Sequence, residues 1–110
     1  MSLFNRKTVL LPRQTMTVGE FDITVDGAYR NVKTFPLETK KGKSLFVYLK
    51  SDIGVDVSVV DAKGMDEKFC QAVKDQTIGP VPIMEKGIMA LLVGVYQGDL
   101  AHIEIEVWME

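Results

Sequence analysis

Ala101-His102-Ile103-Glu104-Ile105-Glu106-Val107-Trp108-Met109 alternates apolar and polar side chains up to the tryptophan. Successive side chains of a strand point to opposite faces of a sheet. This period of two therefore puts Ala101, Ile103, Ile105 and Val107 on one side and His102, Glu104, Glu106 and Trp108 on the other. The same rhythm recurs upstream. Val55, Val57 and Val59 alternate with Asp56 and Ser58, and Phe21, Ile23 and Val25 alternate with Glu20, Asp22 and Thr24. Leu45, Val47 and Leu49 oppose Phe46 and Tyr48, a pattern apolar on both faces that marks a central strand.

Turn residues punctuate these runs. Asp26-Gly27 joins Phe21–Val25 to Ala28–Phe35 as a hairpin, the charged stretch Glu38–Lys43 contains Gly42, Ile53-Gly54 interrupts, and Asp61-Ala62-Lys63-Gly64 stops the valine strand. Ile88–Tyr96 is a further strand, joined to the last one by Gln97-Gly98-Asp99. Thr8–Val18 is extended and β-branched, and Pro12, which has no N–H to donate, confines it to an edge. Only Met65–Asp75 fits a helix, with Met65, Phe69, Ala72 and Val73 at helical spacing, although Phe69, Gln71 and Val73 also share a strand face. Gly79, Pro80 and Pro82 exclude a long regular element after it.

Short strands with Gly, Asp and Pro turns predict an all-β, mainly antiparallel, jelly-roll-like sandwich over residues 1–110, with a barrel as second choice and at most one short helix near 65–75. A chain of 110 residues with 46% hydrophobic and 25% charged side chains suits one globular domain, and disordered, collagenous and disulfide-scaffold classes fall away. The longest nearly apolar run, Ile88–Tyr96, is half a membrane span, and Met1–Lys7 lacks the apolar segment of a signal peptide. Cys70 is the one cysteine, so no internal disulfide forms. These features read as cytoplasmic, or secreted if a leader has been removed.

A net charge of −2 argues against general nucleic-acid binding, although residues 30–50 carry six bases and one acid. Those bases, Arg30, Lys33, Lys40, Lys41, Lys43 and Lys50, interleave with Tyr29, Phe35, Phe46 and Tyr48 in a manner a single-strand binder could use, but no RNA-binding motif accompanies them. Gly42-Lys43-Ser44 matches the end of a phosphate-binding loop. Its first glycine, however, would fall at Leu37, and Ser44 leads into a strand where the motif needs a helix.

His102, Glu104 and Glu106 form the best polar cluster, since residues two apart on a strand face sit ~6.8 Å from each other. A zinc or iron site needs three or four ligands, and neither a second histidine nor a cysteine pair exists. Asp52, Asp56, Asp61, Asp66 and Glu67 offer hard oxygen donors without the spacing of a calcium loop. Cys70 with His102 is the one candidate nucleophile and base, with no local activating motif. No metal or other cofactor is implied.

Gly42-Lys-Ser-Leu-Phe-Val-Tyr-Leu, Val55-Asp-Val-Ser-Val-Val-Asp-Ala-Lys-Gly64, Gly87-Ile-Met-Ala-Leu-Leu-Val-Gly-Val-Tyr-Gln-Gly98 and Ile103-Glu-Ile-Glu-Val107 share a strand order. It resembles the jelly-roll sandwiches of the bacterial pre-peptidase C-terminal and GOLD-type families, over roughly residues 42 to 107. The resemblance implies a non-catalytic accessory or interaction module of the secretory pathway, and it transfers no catalytic residue.

Three functional readings follow. The first is a non-catalytic module that binds a protein partner or itself, with Trp108, Tyr48 and Phe46 as outward-facing aromatics. The second is a small-ligand or carbohydrate module in which Trp108 stacks on a sugar beside Glu104 or Glu106. The third is a metal-dependent enzyme built on His102 and a carboxylate.

Overall fold

The computed structural model describes residues 7–19, 23–25, 30–96 and 98–110. The described residues form seven strands: β1 (Thr8–Gly19), β2 (Ile23–Val25), β3 (Arg30–Thr39), β4 (Ser44–Val60), β5 (Asp66–Pro82), β6 (Gly87–Tyr96) and β7 (Leu100–Met109). Every pairing is antiparallel. The strands hydrogen-bond in the order β1-β7-β4-β6-β3-β2, with β5 added along β4. The all-β antiparallel class that the alternation implies is the one observed. Phe21, the Asp26-Gly27 turn, Tyr29 and Gln97 lie outside the described residues. The pairing that flanks that turn is present, with Ile23 opposite Val32 and Val25 opposite Arg30.

β4 gives the molecule its two walls. Up to Ser51 it runs beside β7, from Asp56 onward it runs beside β6, and β5 accompanies it on the outer side. Changing partners requires a bend. Lys50 pairs with Asp75 and Val55 with Val73, so Ser51–Gly54 bulge against the single residue Lys74. Strands that pass between layers bend at such bulges, and this one lies where Ile53-Gly54 interrupts the alternation. The sheet curls into a half-barrel, and its two walls are halves of one continuous sheet. β1, an edge strand as Pro12 requires, approaches β3 across the opening, where Lys33 Nζ donates to the Thr17 carbonyl at 2.8 Å.

The inward positions are those the period of two selects. Leu45, Val47, Leu49, Val55, Val57 and Val59 of β4 are buried, as are Leu91 and Val93 of β6 and Ala101, Ile103, Ile105 and Val107 of β7. Each buried Val, Ile or Leu contributes ~1.5–3 kcal/mol, so β4 with its two neighbours is the main source of cohesion. The Asp61–Gly64 turn is held by Asp61 Oδ1, which accepts from the N–H groups of Lys63 (2.9 Å) and Met65 (2.8 Å). Gly64 there has φ +84°, a left-handed conformation that favours glycine.

Two expectations for the middle of the chain are overturned. Met65–Asp75 is no helix: residues 66–82 form the single strand β5. Cys70 pairs with Val57 and Val73 with Val55, so three steps on β5 match two on β4, and Ala72 takes up the extra residue at φ +53°. That bulge leaves Phe69 on the outer face opposite Ser58 and Val73 on the inner face opposite Val55, so the apolar residues at helical spacing lie on opposite sides of the strand, and Phe69 and Val73 do not share a strand face either. Gly79, Pro80 and Pro82 likewise do not end the element. β5 pairs with β4 alone, so missing N–H donors are tolerated on its free edge, and a second register shift between Ile78 and Val81 absorbs Gly79-Pro80. Among the described residues no helix is long and apolar enough to cross a membrane.

Candidate functional site

The outer face of the β1-β7-β4 wall carries all six residues singled out from the sequence. Phe46 lies opposite Trp108, Tyr48 opposite Glu106 and Lys50 opposite Glu104. The Phe46 and Trp108 rings stack at 5.5 Å with their planes 10° apart. Cross-strand neighbours on one face are held at about this spacing, so the stack follows from the register.

Glu106 is the centre of this face. It is only 9% exposed, and a carboxylate removed from water needs cations. Lys7 Nζ lies 3.0 Å from its Oε2, and the Arg13 guanidinium 3.3 Å from its Oε1. The Lys7 ammonium first, and then Arg13, holds the carboxyl below the usual glutamate range. Both cations also cover aromatics: Lys7 Nζ is 4.3 Å from the Trp108 ring centroid, and Arg13 Cζ is 4.3 Å from that of Tyr48. Arg13 reaches across because Leu11 pairs with Val107 and Gln14 with Ile105, which sets Pro12 and Arg13 together against Glu106. The proline that marks the edge thus also aims the arginine.

At the far end of this face the bulge of β4 delivers Asp52 to His102. Asp52 Oδ1 accepts from the His102 backbone N–H at 2.8 Å, and its Oδ2 lies 2.9 Å from Nδ1. The backbone N–H, followed by the ring, lowers the Asp52 pKa. His102 lines an open groove of about 470 Å³ together with Thr15, Thr17, Lys50 and Glu104. Among the described residues no three His, Cys, Asp or Glu side chains converge as a metal site. Cys70 packs against the core at the register of Val57, on the inner side of the other wall, and is not brought to His102. The acidic residues disperse as well: Asp52 serves His102, Asp56 accepts from the Ala72 N–H at 3.1 Å, and Asp61 holds its turn.

The outer face of the other wall was not foreseen. Phe69 on β5 lies opposite Ser58 on β4, Ser58 opposite Leu92 on β6, and Leu92 opposite Thr34 on β3. The next row holds Asp66, Val60, Ala90 and Pro36. Phe69 is 47% exposed, Pro36 is exposed, and Val60, Ala90 and Leu92 are half-buried. β1 reaches β3 and β6 from the inner side, at Lys33 and Val95, so it does not cover this surface. The signal lay in Ile88–Tyr96. Met89, Leu91, Val93 and Val95 point inward, yet the alternate positions Ile88, Ala90 and Leu92 are apolar too.

No protein-family model matches this sequence, and no curated protein is significantly similar to it.

Proposed function

We propose that this chain is a non-catalytic assembly module that associates with a second copy of itself through the aliphatic face of β5, β4, β6 and β3. One observation carries the reading: β6 is apolar on both faces, a composition suited to a strand covered on both sides, and among the described residues only its inner face is covered. The row Phe69, Ser58, Leu92, Thr34 alternates large and small. A two-fold axis parallel to the strands sets Phe69 of one copy over Thr34 of the other, in the aligned packing that paired sheets adopt. The face is four strands wide at ~4.8 Å each and two rows deep, on the order of 260 Å² per copy. That is about a third of a standard interface, so the association is weak.

The opposite face is the weaker candidate. Phe46 and Lys7 already engage Trp108, and Lys7 and Arg13 neutralise Glu106, so the platform a sugar requires is occupied from within the chain. Light scattering at several concentrations tests the proposal: mass should rise from monomer toward dimer between about 10 µM and about 1 mM. A constant monomer mass over that range counts against it.

A further inference from the structure

Besides the two outer faces, the half-barrel has an open end. Among the described residues β1 pairs as a strand with β7 alone, and β3 beyond Val32 with β6 alone, so their remaining edges face each other across the opening. They close at Thr17 and Lys33 and part toward Thr8 and Thr39, leaving a groove of about 460 Å³. Its walls include Leu10, Ile88 and Met109, and its rim carries Lys40, Lys86 and Glu38.

We propose that this groove binds a free alkyl carboxylate, its chain against Leu10, Ile88 and Met109 and its headgroup at Lys40 and Lys86. The exposed part of the apolar wall is Ile88, at 54%, with Leu10 half-buried and Met109 buried. Volumes of this order at a barrel mouth suit small ligands that bury a chain and leave one polar end outside. Charge decides the headgroup. Lys40 and Lys86 are the lysines that line this groove, and among the described residues neither has an ion pair. Two such cations against one acid leave the rim positive. An added β-strand is the poorer occupant, because Pro12 on β1 and Pro36 on β3 remove N–H donors from the two strands it would bridge.

The test is a titration of the full chain with decanoate below its micelle concentration, followed by amide NMR, with decyltrimethylammonium and anionic phospholipid vesicles in parallel. Saturable shifts are expected at Leu10, Thr39, Gly87 and Ile88 with decanoate alone. The exposed charge reversals Lys40→Glu and Lys86→Glu together should weaken binding by about tenfold or more. Leu92→Lys, which lies outside the groove lining, should leave it unchanged, so this site and the assembly face fail independently. Absence of saturable shifts, equal binding of the cationic amphiphile, indifference to charge reversal, or binding to vesicles without decanoate binding would overturn the proposal.

Discussion

Asp52 holds His102 twice, through the backbone N–H at 2.8 Å and through Nδ1 at 2.9 Å. The contact ties the bulge where β4 changes walls to the start of β7, so it fixes the bend as well as the imidazole. The bond from the His102 N–H, and then that from its ring, keeps the Asp52 carboxyl below the usual aspartate range. A carboxyl with a depressed folded pKa adds stability above its unfolded pKa of about 3.9 and loses it as pH falls through the folded value. Asp52→Asn should therefore melt at a lower temperature than the parent at neutral pH, with the difference shrinking as pH falls below about 3.9. Thermal melts across that range check this.

Glu106 is expected to matter more than its neighbour Glu104. Glu106 meets Lys7 at 3.0 Å and Arg13 at 3.3 Å, whereas Arg13 lies 3.8 Å from the half-buried Glu104. Glu106→Gln leaves two cations facing each other over the aromatics. The variant should melt lower than Glu104→Gln at neutral pH and shift the emission of Trp108, the one tryptophan. Because the Glu106 carboxyl is held below its usual range, the deficit should shrink as pH falls below about 4.3.

Gly19 closes β1 against the β6–β7 connection at φ +123°. A Cβ there would meet the Asp99 carbonyl oxygen directly and Val95 Cγ2 at 3.2 Å. Gly19→Ala should destabilise by ~1–3 kcal/mol from backbone strain alone, with the clash adding to it. Chemical denaturation measures this, and an unchanged midpoint would contradict the packing described for this corner.

The elements legible in the sequence are those in which one strand face is buried and the register is uninterrupted. Ala101–Val107 and Val55–Val59 alternate cleanly because β7 and the end of β4 each bury one side. β5 was not legible, because the bulge at Ala72 changes the inward spacing from two residues to three. The grouping of Trp108, Glu106, Glu104 and His102 followed from alternation, and the addition of Phe46 and Tyr48 required only that β4 pair with β7. Lys7, Arg13 and Asp52 were missed as partners of that face. Their positions depend on a β1 bulge and a β4 bend, which arise from long-range pairing. The aliphatic face was missed for a different reason: an outward Ala90 or Leu92 cannot be told from a core residue until the curl of the sheet is known.

The assembly face is tested most directly by a paired sedimentation experiment. The parent, Leu92→Lys in the middle of the aliphatic row, and Lys50→Glu on the opposite wall are compared at concentrations up to about 1 mM, with circular dichroism to verify folding. Parent and Lys50→Glu should associate reversibly toward a dimer, while Leu92→Lys stays monomeric because association would bury a charge without a partner. A parent that is monomeric throughout, or a folded Leu92→Lys that associates as the parent does, would contradict the proposed assembly face.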